Sequence, residues 1–263
     1  MRILITNDDG IAAPGMKVAE AIAADLAGRD GEVWVVAPDR ERSGVSHCVS
    51  YTQPMRITEV GERRYSVDGF PADCVLVGLD RLIDPAPDLI LCGVNRGHNI
   101  AEDVVYSGTV GGAMEGGLAG IPSVALSQAY SSAEDAPADV FAASRALGAE
   151  AVRAVLRMPF PDKVFYNVNF PALPPEKVRG FAVCPQGLRA RATFSVVPYL
   201  SPSGREFFWL RHRTENASTE EGSDARTVTD GHVAITPLRP QLTAHDLIES
   251  AGAALADRAR RSV

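Results

Sequence analysis

Short apolar runs alternate with amphipathic stretches along the first 170 residues of the chain. The apolar runs have the length of buried strands and lie at 2–6, 32–37, 88–95, 121–127 and 164–170. The stretches between them have apolar residues at helical spacing and predict helices from Pro14-Gly15 to near Gly28 and over 70–83, 109–120 and 136–157. Strands that alternate with helices predict a parallel sheet with right-handed crossovers. We therefore expect a doubly wound α/β fold.

Antiparallel hairpins interrupt and follow this pattern. A small hairpin is predicted over 55–69, and a longer one pairs 192–200 with 206–213 around the turn SPSGR. A strand over 232–238 and a helix over 245–261 complete the chain. An antiparallel hairpin appended to an α/β core often protrudes and serves oligomerisation. We therefore divide the chain into a core over 1–185 and a hairpin and C-terminal oligomerisation segment over 186–263.

Charge and composition exclude several classes of protein. The 263 residues carry 26 basic and 33 acidic side chains, a net charge of -7, which argues against broad contact with a nucleic-acid polymer. No apolar run reaches the roughly 18 residues that a membrane helix needs, so we expect no membrane association. The four cysteines form no CxxC pair, and Cys74 and Cys92 lie in apolar runs, as buried thiols of a reducing compartment do. These features predict a cytoplasmic protein.

Two of the predicted strands end abruptly in polar residues. The first runs into Asn7-Asp8-Asp9-Gly10 and the third into Asn95. Ligand sites of open α/β sheets lie at the carboxyl ends of the strands, so these side chains are expected to converge. Two close carboxylates repel unless a cation holds them. Carboxylates, an amide oxygen and a hydroxyl from the polar loop 38–50, with Ser43 as the first candidate, suit Mg²⁺, Mn²⁺ or Ca²⁺. The alternative is that the aspartates only cap the following turn or helix.

The segment YSGTVGGAMEGG supplies a second candidate element. Ser107, Gly108 and Thr109 lie where a loop enters a helix, and free backbone N–H groups there favour an anion. The spacing is not that of a P-loop, and an N-cap followed by small packing residues is the alternative. A hard cation beside an anion pocket indicates hydrolysis of a phosphate ester, with one carboxylate orienting the attacking water.

The histidines give a weaker indication. His47 and His98 fall in the loops of the expected site and are candidates to donate a proton to phosphate or to a leaving group. We interpret His212, His232 and His245, in the hairpin and the tail, as surface residues.

Four blocks of sequence resemble the signature of the SurE family, the survival-protein E metal-dependent 5'/3'-nucleotidases. They are NDDGIAAPG at 7–15, APDRERSGVSH at 37–47, CGVNRGHN at 92–99 and DVVYSGTVGGAMEG at 103–116. Further similarity over 69–75, 165–171 and 230–238 extends the match over nearly the whole chain. One position departs from the family pattern, because Phe70 stands where threonine is common and removes a hydroxyl.

The resemblance implies a Rossmann-like core with a protruding hairpin and a C-terminal tail that is exchanged between the subunits of a homodimer or homotetramer. It implies hydrolysis of nucleoside 5'- and 3'-monophosphates and, in some members, of short polyphosphate. One divalent cation per subunit is implied, Mg²⁺ or Mn²⁺, in a site that Ca²⁺ can also occupy. Carried over by position, the metal ligands are Asp8, Asp9, Ser43 and Asn95. The residues that contact phosphate are Asn99, Ser107, Gly108 and Thr109, and the catalytic residues are Asp8 and Asp9.

Two other phosphate-handling classes fit the sequence less well. Receiver domains also hold Mg²⁺ with an acidic pair after the first strand, but they need a phosphoacceptor aspartate where this chain has Asn95. Phosphatases of the HAD type need an Asp-x-Asp pair, which NDDG does not contain. A covalent aspartyl-phosphate remains open from the sequence, and we favour direct attack by water.

Overall fold

The computed structural model of the protein describes residues 1–131, 138–189, 194–212 and 220–261, with side chains of the last helix as far as Ala256. The strands are β1 (Arg2–Thr6), β2 (Glu32–Pro38), β3 (Ile57–Gly61), β4 (Arg64–Val67), β5 (Leu89–Arg96), β6 (Ser123–Gln128), β7 (Phe165–Phe170), β8 (Phe181–Val183), β9 (Phe194–Leu200), β10 (Glu206–His212) and β11 (Val233–Leu238). The helices are α1 (Pro14–Ala27), α2 (Pro71–Val77), α3 (Asp103–Tyr106), α4 (Gly108–Leu118), α5 (Ala142–Leu156), α6 (Asp224–Thr229) and α7 (Ile248–Arg261).

Nine of the strands form one sheet in the order β3-β4-β2-β1-β5-β6-β7-β11-β8. The six strands from β4 to β7 in this order run parallel, whereas β3 is antiparallel to β4 and β11 to β7. From β1 the chain proceeds to β2 on one side and later to β5 on the other. A crevice opens at the carboxyl ends of strands where the order reverses in this way, and β1 and β5 flank it here. The prediction of a doubly wound, mostly parallel sheet is confirmed.

Helices cover both faces of the sheet because its strands are apolar on both sides. Ile3 and Ile5 of β1 pack in one fully buried cluster with α1 and α5, and Leu4 between them packs in a second cluster with α2 and α4. Side chains of successive strand residues point to opposite faces, which explains the division. Cys74 and Cys92 are free buried thiols in the second cluster, as their apolar surroundings predict.

Several elements differ from the expected ones. The helix after Phe70 continues through a π-helical turn at Gly78–Leu82, and α5 begins at Ala142 instead of residue 136. Residues 136–137 and the start of the longer hairpin at 192–193 lie outside the described residues. The short elements α3, α6 and β8 were not anticipated, because four, six and three residues are too few to set up a periodic pattern. Strand β11 pairs with β7 and β8, so the main sheet extends past the boundary expected at residue 185.

The longer hairpin is a separate two-stranded sheet, β9 paired with β10. Its outer residues are apolar yet exposed, as Trp209 and Leu210 illustrate with 66% and 72% of their surface accessible. Leu255 of α7 is similarly exposed, at 70%. Among the described helices none is both long enough and apolar enough to cross a bilayer.

Candidate active site

The first strand ends in a turn that its own residues build. Asn7 Nδ2 donates to the carbonyl of Gly10 at 2.9 Å, and the Gly10 N–H donates back to Asn7 Oδ1 at 3.2 Å. Gly10 has a φ of +98°, and a Cβ there would lie 3.0 Å from the carbonyl carbon of Arg40. Glycine therefore satisfies both the backbone conformation and the close approach of the neighbouring loop. The turn brings Asp8 and Asp9 to the same cavity, which regular strand geometry would not do.

This cavity has a volume of about 450 Å³ and lies at the carboxyl ends of β1 and β5. Seven of the residues expected from the sequence line it: Asp8, Asp9, Ser43, Asn95, His98, Asn99 and Ser107. Of these, Asp8 and Asp9 follow β1, Asn95 belongs to β5, and the others come from three separate loops. The expected convergence of the two polar strand ends is therefore present in the structure.

The acidic pair is only partly compensated, because the N–H and the charge of Arg96 lower the pKa of Asp9 without offsetting its burial. Burial, with a smaller contribution from the charge of Asp9, raises the pKa of Asp8 to about 6, although Asp8 Oδ1 accepts a hydrogen bond from the Thr109 hydroxyl. Burial and the nearby Glu41 carboxylate also raise the pKa of Asp9, whose Oδ2 accepts from the Arg96 N–H at 3.1 Å. Two carboxylates in this state favour a bound cation, because it offsets both the burial and the mutual repulsion.

Ser43 and Asn95 present oxygen atoms to the same cavity. The Ser43 hydroxyl donates to Glu41 Oε1 at 2.8 Å, which directs its proton away and leaves its lone pairs for a cation. Asn95 Nδ2 donates to the Gly97 carbonyl at 3.0 Å, so the amide oxygen is the atom left for a ligand. Within the described part of the chain no three His, Cys, Asp or Glu side chains form a metal-binding group. The donor set thus consists of two carboxylates, one amide and one hydroxyl, which fits a hard cation that keeps several waters.

Polar side chains of β6 and β7 hold Asn99 in place by hydrogen bonds. Its Nδ2 donates to Ser127 Oγ at 2.8 Å, and its N–H donates to Asn169 Oδ1 at 2.7 Å. Asn167 Nδ2 donates to the Asn99 carbonyl at 2.7 Å. Because a side-chain amide carries two N–H groups, Asn99 retains one for an anion in the cavity.

The start of helix α4 lies directly behind Asp8. Ser107 caps the helix, with its Oγ accepting from the Val110 N–H at 3.1 Å, and its own O–H remains available to a ligand. A Cβ on Gly108 would lie 2.9 Å from the Asp8 Cβ, so only glycine fits there. The Thr109 hydroxyl and backbone N–H both donate to the Asp8 carboxylate, so an anion would compete with Asp8 for either donor.

Glu41 and Arg96 also line the cavity, and sequence reasoning missed both as site residues. Each is adjacent or nearly so to a predicted ligand, Ser43 or Asn95, and that proximity was the available signal. Among the described lining residues four are carboxylates and one is an arginine. A dianionic phosphate entering this cavity needs additional positive charge, which is independent support for a cation.

A second buried carboxylate, Asp103, forms another wall of the cavity together with His98 and His212, and it is fully compensated. Arg189 donates to it twice, at 2.9 and 2.6 Å, His98 Nδ1 at 3.1 Å and His212 Nε2 at 3.0 Å. Burial alone would raise the pKa of Asp103, but the hydrogen bonds from His98, Arg189 and His212 outweigh it and hold that pKa well below its usual range. Our interpretation of His212 as a surface residue is therefore wrong, because the hairpin folds back onto the core and brings His212 into the cavity wall.

The same wall carries aromatic rings from the core and from the hairpin. Tyr106 and Phe194 meet edge to face with centroids 5.0 Å apart, and Phe194 meets His212 in the same way at 5.6 Å. Phe141 at the start of α5 also lines the cavity. Aromatic rings of this kind suit a planar base, whereas the acidic pair in the same cavity suits a cation and phosphate.

Four residues considered from the sequence lie outside this lining: Gly108 and Thr109, which pack behind Asp8, and His47 and Phe70. His47 Nε2 lies 2.6 Å from Glu115 Oε2 of α4, which engages it away from the cavity. Phe70 packs under Arg42, whose Cζ lies 5.3 Å from the ring centroid. The N–H of Arg42 in turn donates to the Asp8 carbonyl at 2.7 Å. Phe70 therefore replaces a hydroxyl with packing that supports the loop of Ser43.

Comparison with known proteins identifies the family of this chain. The model of the family described as survival protein SurE matches residues 3–193. A Cereibacter sphaeroides protein named 5'-nucleotidase SurE is 54% identical over 251 residues, which cover 94% of this chain and 96% of that protein. A Ruegeria pomeroyi protein of the same name is 49% identical over 260 residues, or 97% and 100% of the two chains.

Among solved structures, the SurE protein from Aquifex aeolicus superposes with a TM-score of 0.78 at 38% sequence identity. The superposition covers 95% of this chain and 98% of that one. The chain therefore belongs to the survival protein SurE family.

Proposed function

We propose that this protein is a divalent-metal-dependent phosphomonoesterase that hydrolyses nucleoside 5'- and 3'-monophosphates to nucleoside and phosphate. One observation carries the proposal: two only partly compensated carboxylates, two further oxygen donors and a helix N-terminus line a single cavity. The SurE family is metal-dependent, and curated relatives of this chain are named 5'-nucleotidases. Short polyphosphate is a second expected substrate, because it presents the same terminal phosphate without a base.

Asp8, Asp9, Ser43 and Asn95 would hold one divalent cation per subunit, Mg²⁺ or Mn²⁺, in a site that Ca²⁺ also fits by charge and ligand type. When bound, such a cation acts as a Lewis acid on a phosphoryl oxygen and lowers the pKa of a coordinated water.

The remaining residues act on the phosphate. The N–H of Gly108 at the start of α4 donates to a phosphoryl oxygen, and Thr109 does so by exchanging a hydrogen bond that it makes to Asp8. The helix dipole favours the negative charge. The Ser107 hydroxyl and the second N–H of Asn99 donate beside them. Preorganised donors of this kind stabilise the charge that develops on the equatorial oxygens. Asp9, the more accessible of the acidic pair, orients the attacking water.

Phosphate release from purified protein tests this function. A panel of AMP, GMP, 3'-AMP and short polyphosphate is assayed with Mg²⁺, Mn²⁺ or Ca²⁺ and after treatment with EDTA. We expect release from the nucleotides that EDTA abolishes and a divalent cation restores. Asp30→Asn is the matched control for carboxylate variants. Asp30 is exposed in the turn between α1 and β2, at the amino end of β2 and away from the cavity at the carboxyl ends of the strands. Nucleotides that yield no phosphate with any of the metals would contradict the proposal.

A signalling receiver is the competing class, and Asn95 argues against it. A receiver transfers phosphate to an aspartate at the end of the corresponding strand, where β5 carries an amide. Acetyl phosphate is therefore expected to leave no label on the protein. Labelled phosphate that persists in acid-quenched protein during AMP turnover would instead support a covalent aspartyl-phosphate and contradict direct attack by water.

We also propose a homodimer or homotetramer in which the C-terminal tails are exchanged. Exposed apolar side chains on α7 and on the hairpin support it, since surfaces of this kind are typical of interfaces. Leu255→Glu is expected to lower the mass measured by light scattering, and Glu249→Ala on the same helix is the control. An unchanged mass for Leu255→Glu would count against exchange through α7.

A further inference from the structure

The hydrogen bonds of Asp103 determine which ring nitrogen of His98 is available for chemistry. Asp103 is an acceptor only, because its partners keep it ionised. His98 Nδ1, 3.1 Å from Asp103 Oδ2, must therefore carry a proton and donate it. Nε2 is the ring nitrogen that remains for a ligand, and His98 lines the cavity with 36% of its side chain accessible. A carboxylate that orients an imidazole in this way is a recurrent arrangement in acid–base catalysis.

The proposed reaction needs a proton donor that the expected ligands do not supply. Cleavage of a nucleoside monophosphate leaves a strongly basic alkoxide on the sugar, which is a poor leaving group without a proton. Asp8 and Asp9 are assigned to the cation, and the other predicted contacts are an amide, hydroxyls and backbone N–H groups. None of these is an acid suited to protonate an alkoxide at neutral pH.

We propose that His98 is the general acid of the reaction. The step rests on the nucleotidase function proposed above. Water attacks phosphorus, the bond between phosphorus and the sugar oxygen breaks, and its electron pair remains on that oxygen. His98 Nε2–H donates its proton to the oxygen as the bond breaks. The attacking water keeps one proton on the product phosphate and releases the other to solvent, from which His98 is reprotonated.

The position of His98 favours it over His212, the other histidine on Asp103. His98 lies between Asn95 and Asn99, the expected metal ligand and phosphate contact. His212 lies at the end of the hairpin against Phe194, where the aromatic wall begins. Asp103 is a positioning residue for both rings and does not itself take part in the proton transfer.

The test compares a poor and a good leaving group. His98→Gln is expected to lower kcat on AMP by about 100-fold and kcat on p-nitrophenyl phosphate by less than about threefold, because general acid catalysis is worth 10²–10⁴-fold only where the leaving group needs a proton. A merely structural role would lower both rates together. Mn²⁺ binding to the substrate-free variant, measured by electron paramagnetic resonance, is expected to match wild type.

Two matched variants sharpen the result. His47→Gln, whose ring is engaged by Glu115 outside the cavity, is expected to keep both rates. His212→Gln removes the second histidine from Asp103 and is expected to show no selective loss on AMP. A selective loss in His212→Gln instead of His98→Gln would overturn the assignment, as would equal losses, or none, on both substrates. Wild-type protein that fails to hydrolyse AMP with any metal would overturn the nucleotidase function itself, and the inference with it.

Discussion

Two buried carboxylates that line one cavity show how differently a fold can surround the same side chain. Asp8 is 4% exposed and Asp103 is 7% exposed. Burial raises the pKa of Asp8 to about 6, whereas the hydrogen bonds around Asp103 overcome its burial and hold its pKa well below the usual range. Asp8 has a second carboxylate beside it and one hydroxyl donor, while Asp103 has an arginine and two histidines.

This difference indicates that the Asp8–Asp9 pair serves to bind a ligand, whereas Asp103 stabilises the fold. A pair that is only partly compensated is costly to the protein alone and becomes favourable when a cation arrives. A compensated carboxylate stabilises what surrounds it, and here it joins the loop after β5 to Arg189 and to the hairpin. The carboxylates of the first wall, Asp8 and Asp9, therefore gain from binding a cation, whereas the Asp103 carboxylate of the second wall already has its partners.

The largest effect is expected from removing one charge of the acidic pair. Asp8→Asn and Asp9→Asn should each lower AMP hydrolysis at saturating Mn²⁺ by on the order of 10³-fold or more, because each loses a carboxylate that we propose holds the cation. Phosphate release measures the rate. The midpoint of thermal unfolding without metal should not fall, since the substitution relieves a buried repulsion. A variant with near wild-type turnover would show that hydrolysis does not require both carboxylates of the acidic pair.

Neutralising the compensated carboxylate should instead destabilise the fold. Asp103→Asn removes from Arg189, 5% exposed, the more buried of its two carboxylate partners and leaves only Glu102, at 3.4 Å, and breaking a buried pair costs about 3–5 kcal/mol. The free energy of unfolding in urea measures the loss. Asp139→Asn breaks an exposed pair with Arg145 and should cost less than about 1 kcal/mol. Equal losses in the two variants would show that Asp103 is not a structural centre.

Added metal should stabilise only the protein with an intact acidic pair. Mn²⁺ at one hundred times its Kd is expected to raise the free energy of unfolding by about 2.7 kcal/mol, because it binds the folded state. Asp8→Asn should lose this gain. Asp139→Asn, which keeps the pair, should show the full gain in the same titration. A gain of wild-type size in Asp8→Asn would place the cation elsewhere.

The smallest expected effect is the change with pH in the stability that Asp103 contributes. The folded-state pKa of Asp103 is lowered, so its contribution to stability is present above the unfolded pKa and is lost as pH falls through the folded value. The difference in unfolding free energy between wild type and Asp103→Asn should therefore be largest near neutral pH and narrow below about pH 4. Urea titrations at several pH values measure it. A difference that widens on acidification would contradict this sign.

The first wall of the cavity was predictable from the sequence because its parts are local. Asp8, Asp9 and Asn95 directly follow apolar strands, and parallel strands bring their carboxyl ends to one edge whatever the details of packing. The entry to α4 at Ser107 could be recognised from the same kind of junction. Glu41 and Arg96 escaped notice because a single charged residue in a loop has no pattern of its own.

The second wall could not be predicted, because it depends on long-range packing. Asp103 and His212 are 109 positions apart, and they meet only because the hairpin folds back over the loop after β5. The place of β11 inside the main sheet has the same origin, since its partners β7 and β8 come from the segment assigned to the core.

The sequence by itself thus determined the doubly wound sheet, the strand-end acidic pair and the oxygen donors. The hydrophobic periodicity and the polar residues at strand ends depend only on residues close together in the sequence, so they can be recognised without knowing the tertiary contacts. Only the tertiary structure decided which carboxylate is left only partly compensated, which ring nitrogen of His98 is free and which aromatic rings face the cation site. Those properties depend on burial and on partners distant in the chain, and no local pattern encodes them.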